Sequence, residues 1–257
     1  MWPPGAMPLD KVRIRFRKAG DLRLVSHLDL MRALERMLRR ASIPFRMTEG
    51  FHPSPRLVLA QSLPLGLVGH AEVLELELTQ EIDPEEVLGR LRAQAPPGIE
   101  FLSARRIPLK TTARPRRAVY RIPLEAPPTD LVDRIATFLA GHESWAERER
   151  PKPRAINIRP YVDSLTVENG ALIVSAWLTL EGSARADEIA AAVGVTDPPL
   201  IERVFLELLD EVPSEEAART PKIEPQGRPL NRVVATGPRP EVPREMWGAT
   251  ANGPVVE

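Results

Sequence analysis

Val12-Arg13-Ile14-Arg15-Phe16-Arg17 alternates apolar and basic residues, and Ser26-His27-Leu28-Asp29-Leu30-Met31-Arg32 follows it after Gly20. Period two predicts a strand with one buried and one wet face. The second stretch predicts a helix. Ser26 and Asp29 stand three apart before an apolar run, the spacing of a capping box with Asp in place of Glu. Leu28, Met31, Leu34, Leu38 and Ala41 recur at helical spacing as the expected inner face, with Arg32, Glu35, Arg36, Arg39 and Arg40 on the outer one. Pro44 follows the end of this helix.

Outward from this pair, the same alternation of elements continues. Phe45 to Thr48 and Arg56 to Gln61 read as short extended pieces around the turn-rich Gly50-Phe51-His52-Pro53-Ser54-Pro55. Ala71 to Thr79 alternates again, which predicts a strand with an acidic outer face at Glu72, Glu75 and Glu77. Asp83 precedes Pro84 as a helix start, and this helix runs to about Gln94, before Pro96-Pro97-Gly98. Ile99 to Ile107 closes the unit as a strand. The order is β-α-β-β-α-β.

The pattern then repeats. Ala118 to Leu124 reads as a strand and Thr129 to Ala140 as a helix. After a basic linker, Ala155 to Val167 and Ala171 to Leu180 read as two strands joined at Asn169-Gly170, a strong hairpin signal. Ala186 to Val193 is a helix and Ile201 to Leu208 a strand. The expected fold class is therefore α+β: two tandem ferredoxin-like βαββαβ units over residues 11–110 and 117–210. From Pro213 periodicity is lost among Pro221, Pro225, Pro229, Pro238, Pro240 and Pro243. Residues 213–257 are expected to be a disordered tail, with Trp247 either a docking residue or simply an apolar residue within it.

At 257 residues, with 43% hydrophobic and 27% charged residues, the chain has enough apolar material for two modest cores. It contains no cysteine, which excludes disulfides, thiol nucleophiles, zinc–thiolate sites and a cluster held by its own sulfur. Met1 to Asp10 has no basic region followed by an apolar run, and no apolar stretch approaches the roughly 20 residues that span a bilayer. The expectation is a cytoplasmic protein with no membrane partner. The formal net charge is zero, but it is unevenly spread. Lys11 to Arg56 carries twelve lysines and arginines against Asp21, Asp29, Glu35 and Glu49. Leu57 to Glu100 is predominantly acidic, and Arg105 to Arg121 holds seven basic residues and no acid. These segments read either as solvated surfaces or as one shared positive face.

Three stretches carry a family likeness: Phe16-Arg17-Lys18-Ala19-Gly20 running on to Leu24-Val25-Ser26-His27-Leu28-Asp29-Leu30-Met31-Arg32; Gly50-Phe51-His52-Pro53-Ser54-Pro55-Arg56 leading to Leu63-Pro64-Leu65-Gly66; and Ile156-Asn157-Ile158-Arg159-Pro160. Together they resemble the radical SAM-linked family of bacterial proteins of unknown function, over roughly residues 11–210. The resemblance implies a partner, a radical SAM enzyme with a cobalamin-binding domain, beside which, or fused to the C-terminus of which, such proteins occur. Members often carry a second His where this chain has Ser54, and usually Asp where it has Asn157, so a His pair or a carboxylate at those positions is not available here. Without cysteine, this chain is not itself the radical enzyme.

The motifs allow two chemistries. His27 stands at a helix N-terminus, where unpaired N–H groups and the dipole favour an anion. It could add a hydrogen bond or act as an acid or base; equally, Ser26 and Asp29 could simply cap the helix. The proline-stiffened loop presents Phe51, His52 and Arg56 either as a stacking and phosphate-holding surface or as a turn that packs Phe51 into the core. His27, His52 and His70 lack metal-ligand spacing, and no Gly-rich phosphate loop, Gly-x-Ser-x-Gly elbow or His-Glu-x-x-His helix is present, so neither metal nor cofactor is expected. Candidate binding residues are Lys18, Ser26, His27, Asp29, Arg32, Phe51, His52, Arg56, Arg116, Arg117 and Arg159. The favoured function is an accessory binding module without catalytic activity of its own, presenting a substrate, RNA among the candidates, to a radical SAM partner. The alternatives are an RNA-processing or RNA-modifying enzyme using His27 and His52 as acid and base, and a protein-binding adaptor.

Overall fold

A computed structural model of the chain describes residues 9–180 and 182–229. The first half comprises β1 (Asp10–Lys18), α1 (His27–Arg40), β2 (Leu57–Leu59), β3 (Val68–Leu78), α2 (Pro84–Arg92) and β4 (Ile99–Arg106). The second comprises β5 (Pro115–Pro123), α3 (Leu131–Ala140), β6 (Trp145–Arg148), β7 (Arg154–Asn157), β8 (Val162–Glu168), β9 (Ala171–Trp177), α4 (Ala186–Ala192) and β10 (Glu202–Leu208), followed by α5 (Ser214–Ala218) and β11 (Gly227–Pro229). The chain is a mixed α+β protein. An eight-stranded sheet runs β4-β1-β3-β10-β5-β9-β8, with β2 paired to β3. All its pairings are antiparallel except β3 with β10, which meet in parallel at Glu202↔Val68 and Arg203↔Gly69.

Local signals place the helices and the hairpin. Ser26 is extended at φ −62°, ψ 160° and accepts from the Asp29 amide at 3.2 Å, so it caps α1. Asp83 accepts from the Glu85 amide at 2.8 Å ahead of Pro84. Asn169 and Gly170 both take positive φ, 48° and 69°, and turn β8 into β9. The buried face of α1 is Leu30, Leu34, Met37 and Leu38, while Leu28 is 67% exposed. This corrects the expected inner face: six residues at about 100° each carry Leu28 roughly 120° away from Leu34. The α1 and α2 side chains share a core with Val12, Ile14, Phe16, Leu74, Leu76 and Leu78. A second core gathers α3 and α4 against β5, β8 and β9.

Other expectations need correction. The strand expected over 155–167 is broken by Arg159-Pro160-Tyr161 into β7 and β8, because proline removes a ladder donor. Strand β6 was not foreseen; with β7 and β11 it forms a separate three-stranded sheet. The basic segment Arg105 to Arg121 includes the start of β5, and Arg116 within it is buried. The disordered tail was drawn too early, since α5 and β11 lie within 213–229 and Ile223 is buried. Trp247 and the rest of 230–257 lie outside the described residues.

The largest correction concerns the charged strand faces. Lys11 and Arg13 on the expected wet face of β1 and Glu75 on the expected outer face of β3 lie side by side and are buried, while Arg15 and Glu77 are half-buried and Arg17 is exposed. Arg13 stands opposite Glu75 in the β1–β3 ladder, and its Nε and Nη2 reach Glu75 Oε1 at 3.0 and 2.7 Å. Lys11 Nζ lies 2.8 Å from Glu75 Oε2, a charge contact rather than an aligned hydrogen bond, and donates to the Thr111 carbonyl at 2.5 Å. Antiparallel pairing makes directly opposite charges neighbours, and the segment after β4 covers them. Around Glu211, burial pushes the carboxyl pKa up, but hydrogen bonds and charge from Arg105, Arg15 and Arg13 outweigh it and leave it below the ordinary value.

Three outcomes follow. Ser26→Ala should cost about 1 kcal/mol in a denaturant melt, the usual loss of a cap; an unchanged midpoint contradicts the capping. Glu75→Gln leaves Lys11 and Arg13 buried without their carboxylate and should cost roughly 3–5 kcal/mol. Because Glu211 has a depressed folded pKa, its contribution is full above the unfolded value near 4.3 and is lost as pH falls through the folded value. Urea midpoints measured from pH 7 to pH 3 should therefore fall less steeply at the acid end in Glu211→Gln than in the parent.

Candidate functional site

The parallel junction of β3 and β10 holds only two residue pairs, and a large side chain fills the space beside it. Arg203 on β10 is 1% exposed. Its Nε donates to Glu72 on β3 at 2.8 Å and its Nη2 makes a second, shorter contact to the same carboxylate. The remaining donors reach forward: Nη1 to the Ser62 carbonyl at 3.3 Å and Nη2 to the Gln61 carbonyl at 3.2 Å. Arg203 thus ties the floor of the sheet to the loop that joins β2 to β3. Burial and Arg203 act oppositely on neighbouring Tyr120, and burial wins, raising its pKa. On the other side Lys18 is sealed, donates to the Val25 carbonyl at 3.2 Å, and has its pKa lowered by burial despite Glu72.

Two further bonds set the loop against the start of α1. The Gly66 amide donates to the Arg23 carbonyl at 2.9 Å, with Gly66 at φ +88°, a conformation that favours glycine. Ser62 Oγ and His27 Nδ1 share a hydrogen bond of 3.3 Å. The structure therefore brings Ser26-His27 together with Leu63-Pro64-Leu65-Gly66. Behind this loop lies a cleft of about 490 Å³, lined among others by Ser62, Pro64, Leu65, Tyr120, Arg185 and Arg203. The two fastened segments also carry Leu24, Leu28 and Leu65, which are 60%, 67% and 64% exposed. The cleft thus has a buried ionic floor at Arg203 and takes Ser62 and Leu65 from the loop, while Leu24 and Leu28 stand exposed on the segment that Ser62–His27 and Gly66–Arg23 fasten to it. Such a surface binds by apolar contact, with few polar groups fixing orientation.

The other expected site residues are spread over different places. Asp29 accepts from Ser26 Oγ at 2.7 Å and from Arg32 at 3.2 Å, and its pKa is lowered first by the Ser26 hydroxyl. The Phe51 ring is fully exposed, which excludes its packing into the core. It stands with His52 on a ribbon closed by Thr48 and Ser54, whose amide–carbonyl bond is 2.7 Å. That ribbon leaves the sheet where Arg56 meets Glu77, whereas the Ser62 loop begins past Ala60 opposite Val73. Four strand residues separate these points, about 13 Å. No bond among the described residues joins His27 to His52, and His27 is bonded instead to Ser62.

Arg13 and Arg15 of the first basic segment meet Arg105 of the second around Glu211, but the basic residues expected to bind are largely engaged inside the chain. Lys18 is buried. Arg116, 2% exposed, is occupied by Glu207, Glu216 and Thr220 and lies 4.9 Å over the Trp177 ring. Arg117 holds Asp163 at 2.9 Å and Glu207 at 2.7 Å, and Glu207 leads in raising its pKa. Arg159 donates to the carbonyls of Phe138, Leu139 and Val162, clasping the end of α3. Asn157, buried beside it, accepts from Ser144 and donates to Gln226. Arg56 and Arg32 remain exposed. The residues missed by the motif analysis are Glu72, Ser62, Tyr120 and Arg203. Their signal was faint: Glu72, Tyr120 and Arg203 are scattered over three strands and Ser62 lies in a loop, with no motif joining them.

Among the described residues no three His, Asp or Glu side chains form a metal-binding group, and no helix is long and apolar enough to cross a membrane. No curated protein matches the chain. Among solved structures it is similar to an unknown protein from Galdieria sulphuraria, at 9% identity over 65% of this chain and 79% of that one, with a TM-score of 0.25. It is also similar to a "putative glycine cleavage system transcriptional repressor", at 10% identity over 68% and 83%, with a TM-score of 0.21. Neither likeness is close enough to carry an argument about fold or activity. A family model does match, over residues 11–189, the stretch that contains β1, α1, the Ser62 loop and the start of α4. The chain belongs to DUF2344, a family of uncharacterized proteins conserved in bacteria.

Proposed function

We propose that the chain is an accessory binding module that works with a radical SAM enzyme carrying a cobalamin-binding domain, and that it engages its partner through the leucine-rimmed groove. The observation that carries this reading is the exposure of Leu24, Leu28 and Leu65 on two segments fastened together beside the cleft by Ser62–His27 and Gly66–Arg23. Exposed leucines grouped at a cleft mark interaction sites more often than leucines scattered singly. The partner's identity rests on the likeness of the motifs to the radical SAM-linked proteins. The architecture fits a pair of ferredoxin-like units, 11–110 and 117–210. In each half the fourth strand neighbours the first, the first the third and the third the second, all antiparallel, as β4-β1-β3-β2 and β10-β5-β9-β8.

Binding of RNA is the weaker reading. An extended polyanion site needs a run of cations left over for phosphate, and Arg116 and Arg117 are engaged by carboxylates within the chain. His27 acts in this account as an edge group that holds the loop through Ser62, and no acid–base cleavage is assigned to it.

The test is co-purification with the cobalamin-binding radical SAM enzyme of the same organism, using the parent chain and a Leu28→Glu/Leu65→Glu variant. These positions are exposed, so the fold should survive; circular dichroism checks it. The parent should co-elute with the enzyme in size-exclusion chromatography and the variant should not. Equal co-elution of both moves the interface elsewhere. RNA recovered by crosslinking from the parent, with no protein partner, overturns the reading in favour of nucleic acid.

A further inference from the structure

On the sheet face away from α1, three arginines meet at one carboxylate. Glu211, in the turn after β10, accepts from Arg13 Nη1 at 3.0 Å and Arg105 Nη2 at 2.8 Å on Oε1, and from Arg15 Nη2 on Oε2. Two of these guanidiniums owe their positions to other groups. Arg13 is fixed by its two bonds to Glu75. Arg15 donates Nη1 to the carbonyls of Ala71 and Leu206 at 3.1 and 3.2 Å and lies 4.8 Å over the Phe205 ring. Each therefore presents a donor toward the place that Glu211 fills, whether or not Glu211 is there. Arg105, with 51% of its side chain exposed, closes the site from solvent.

The charge count points to what this place accepts. Lys11, Arg13, Arg15 and Arg105 face Glu75, Asp210 and Glu211, so one positive charge is left over with every carboxylate engaged. Without Glu211 the surplus is two, the charge of a phosphoryl dianion. A carboxylate offers two oxygens to three guanidiniums, while a phosphoryl group offers three, and arginine forks match both. The Glu211 side chain is 21% exposed, against 1% for Arg13, so the occupant can exchange from the solvent side while the floor stays sealed.

We infer that Arg13, Arg15 and Arg105 form a receptor for a phosphate monoester or inorganic phosphate, and that Glu211 is its resident occupant. Ligand binding displaces the Glu211 side chain and with it the turn that leads into α5. The site is separate from the leucine-rimmed groove.

Calorimetry at pH 7.5 with inorganic phosphate and with phenyl phosphate tests this. Glu211→Gln should bind either probe about tenfold or more tightly than the parent, because one charge-assisted competitor is gone. Affinity for phenyl phosphate should weaken as pH drops below about 6, where the monoester dianion is lost. A gain for phenyl phosphate alone assigns the site to monoesters; a gain for both assigns it to the free anion as well. Adding Arg105→Gln to Glu211→Gln should remove most of the gain. If Glu211→Gln fails to fold, Glu211→Asp, whose carboxylate is withdrawn by one methylene, should show the same direction of change. Binding no tighter than the parent's in the folded variant, or a gain untouched by Arg105→Gln, overturns the receptor.

Discussion

Arg13 and Glu75 are directly opposed in the central ladder, and the rest of the molecule is arranged so that this pair can be buried. Burying a charge without a partner is costly, and with one it is tolerated. Once β1 and β3 pair in this register, Lys11 joins Glu75, and the segment around Thr111 and the turn at Asp210–Glu211 must close over them. The connection between halves and the turn after β10 are thereby fixed to the first sheet. Basic residues that look like a solvent face in one dimension become the interior of a two-layered arrangement.

The same logic operates on the opposite sheet face, where Arg203 and Glu72 sit beside the short parallel contact of β3 and β10. Few backbone bonds hold that junction, so the side-chain pair supplies what the ladder does not. Because Arg203 also grips the carbonyls of Gln61 and Ser62, its burial is converted into the position of a surface loop. Burial, ion pairing and the shape of the groove are one chain of cause, running from a strand residue to a rim of leucines.

What could be read from the sequence was local. The Ser26 cap, the Asp83-Pro84 start and the Asn169-Gly170 turn each depend on neighbours a few residues away, and all three stand where their motifs put them. The face of α1 was misjudged because Leu28 is apolar but lies in the first turn, ahead of the Leu30–Leu34–Leu38 stripe. The fate of the charges was not legible at all. Arg13 finds Glu75 across 62 positions and Arg203 finds Glu72 across 131, and alternation alone cannot distinguish a wet basic face from one matched to an acidic strand. The site was half legible: the motifs around His27 and Leu63-Pro64-Leu65-Gly66 named its rim, but its floor, Glu72, Tyr120 and Arg203, carried no motif. Likewise β6 and β11 are short strands whose pairing with β7 depends on distant partners.

The central claim is that a buried arginine holds the groove's rim in place. Hydrogen exchange on Arg203→Met, compared with the parent chain under native conditions, tests it most directly. The Gly66 amide, bonded to Arg23, should lose protection selectively, together with the Val68 amide beside the β10 junction, while the Asp83-capped α2 keeps its own. Unchanged protection at Gly66 and Val68 in a folded Arg203→Met would show that the loop is held by other contacts and would contradict the account.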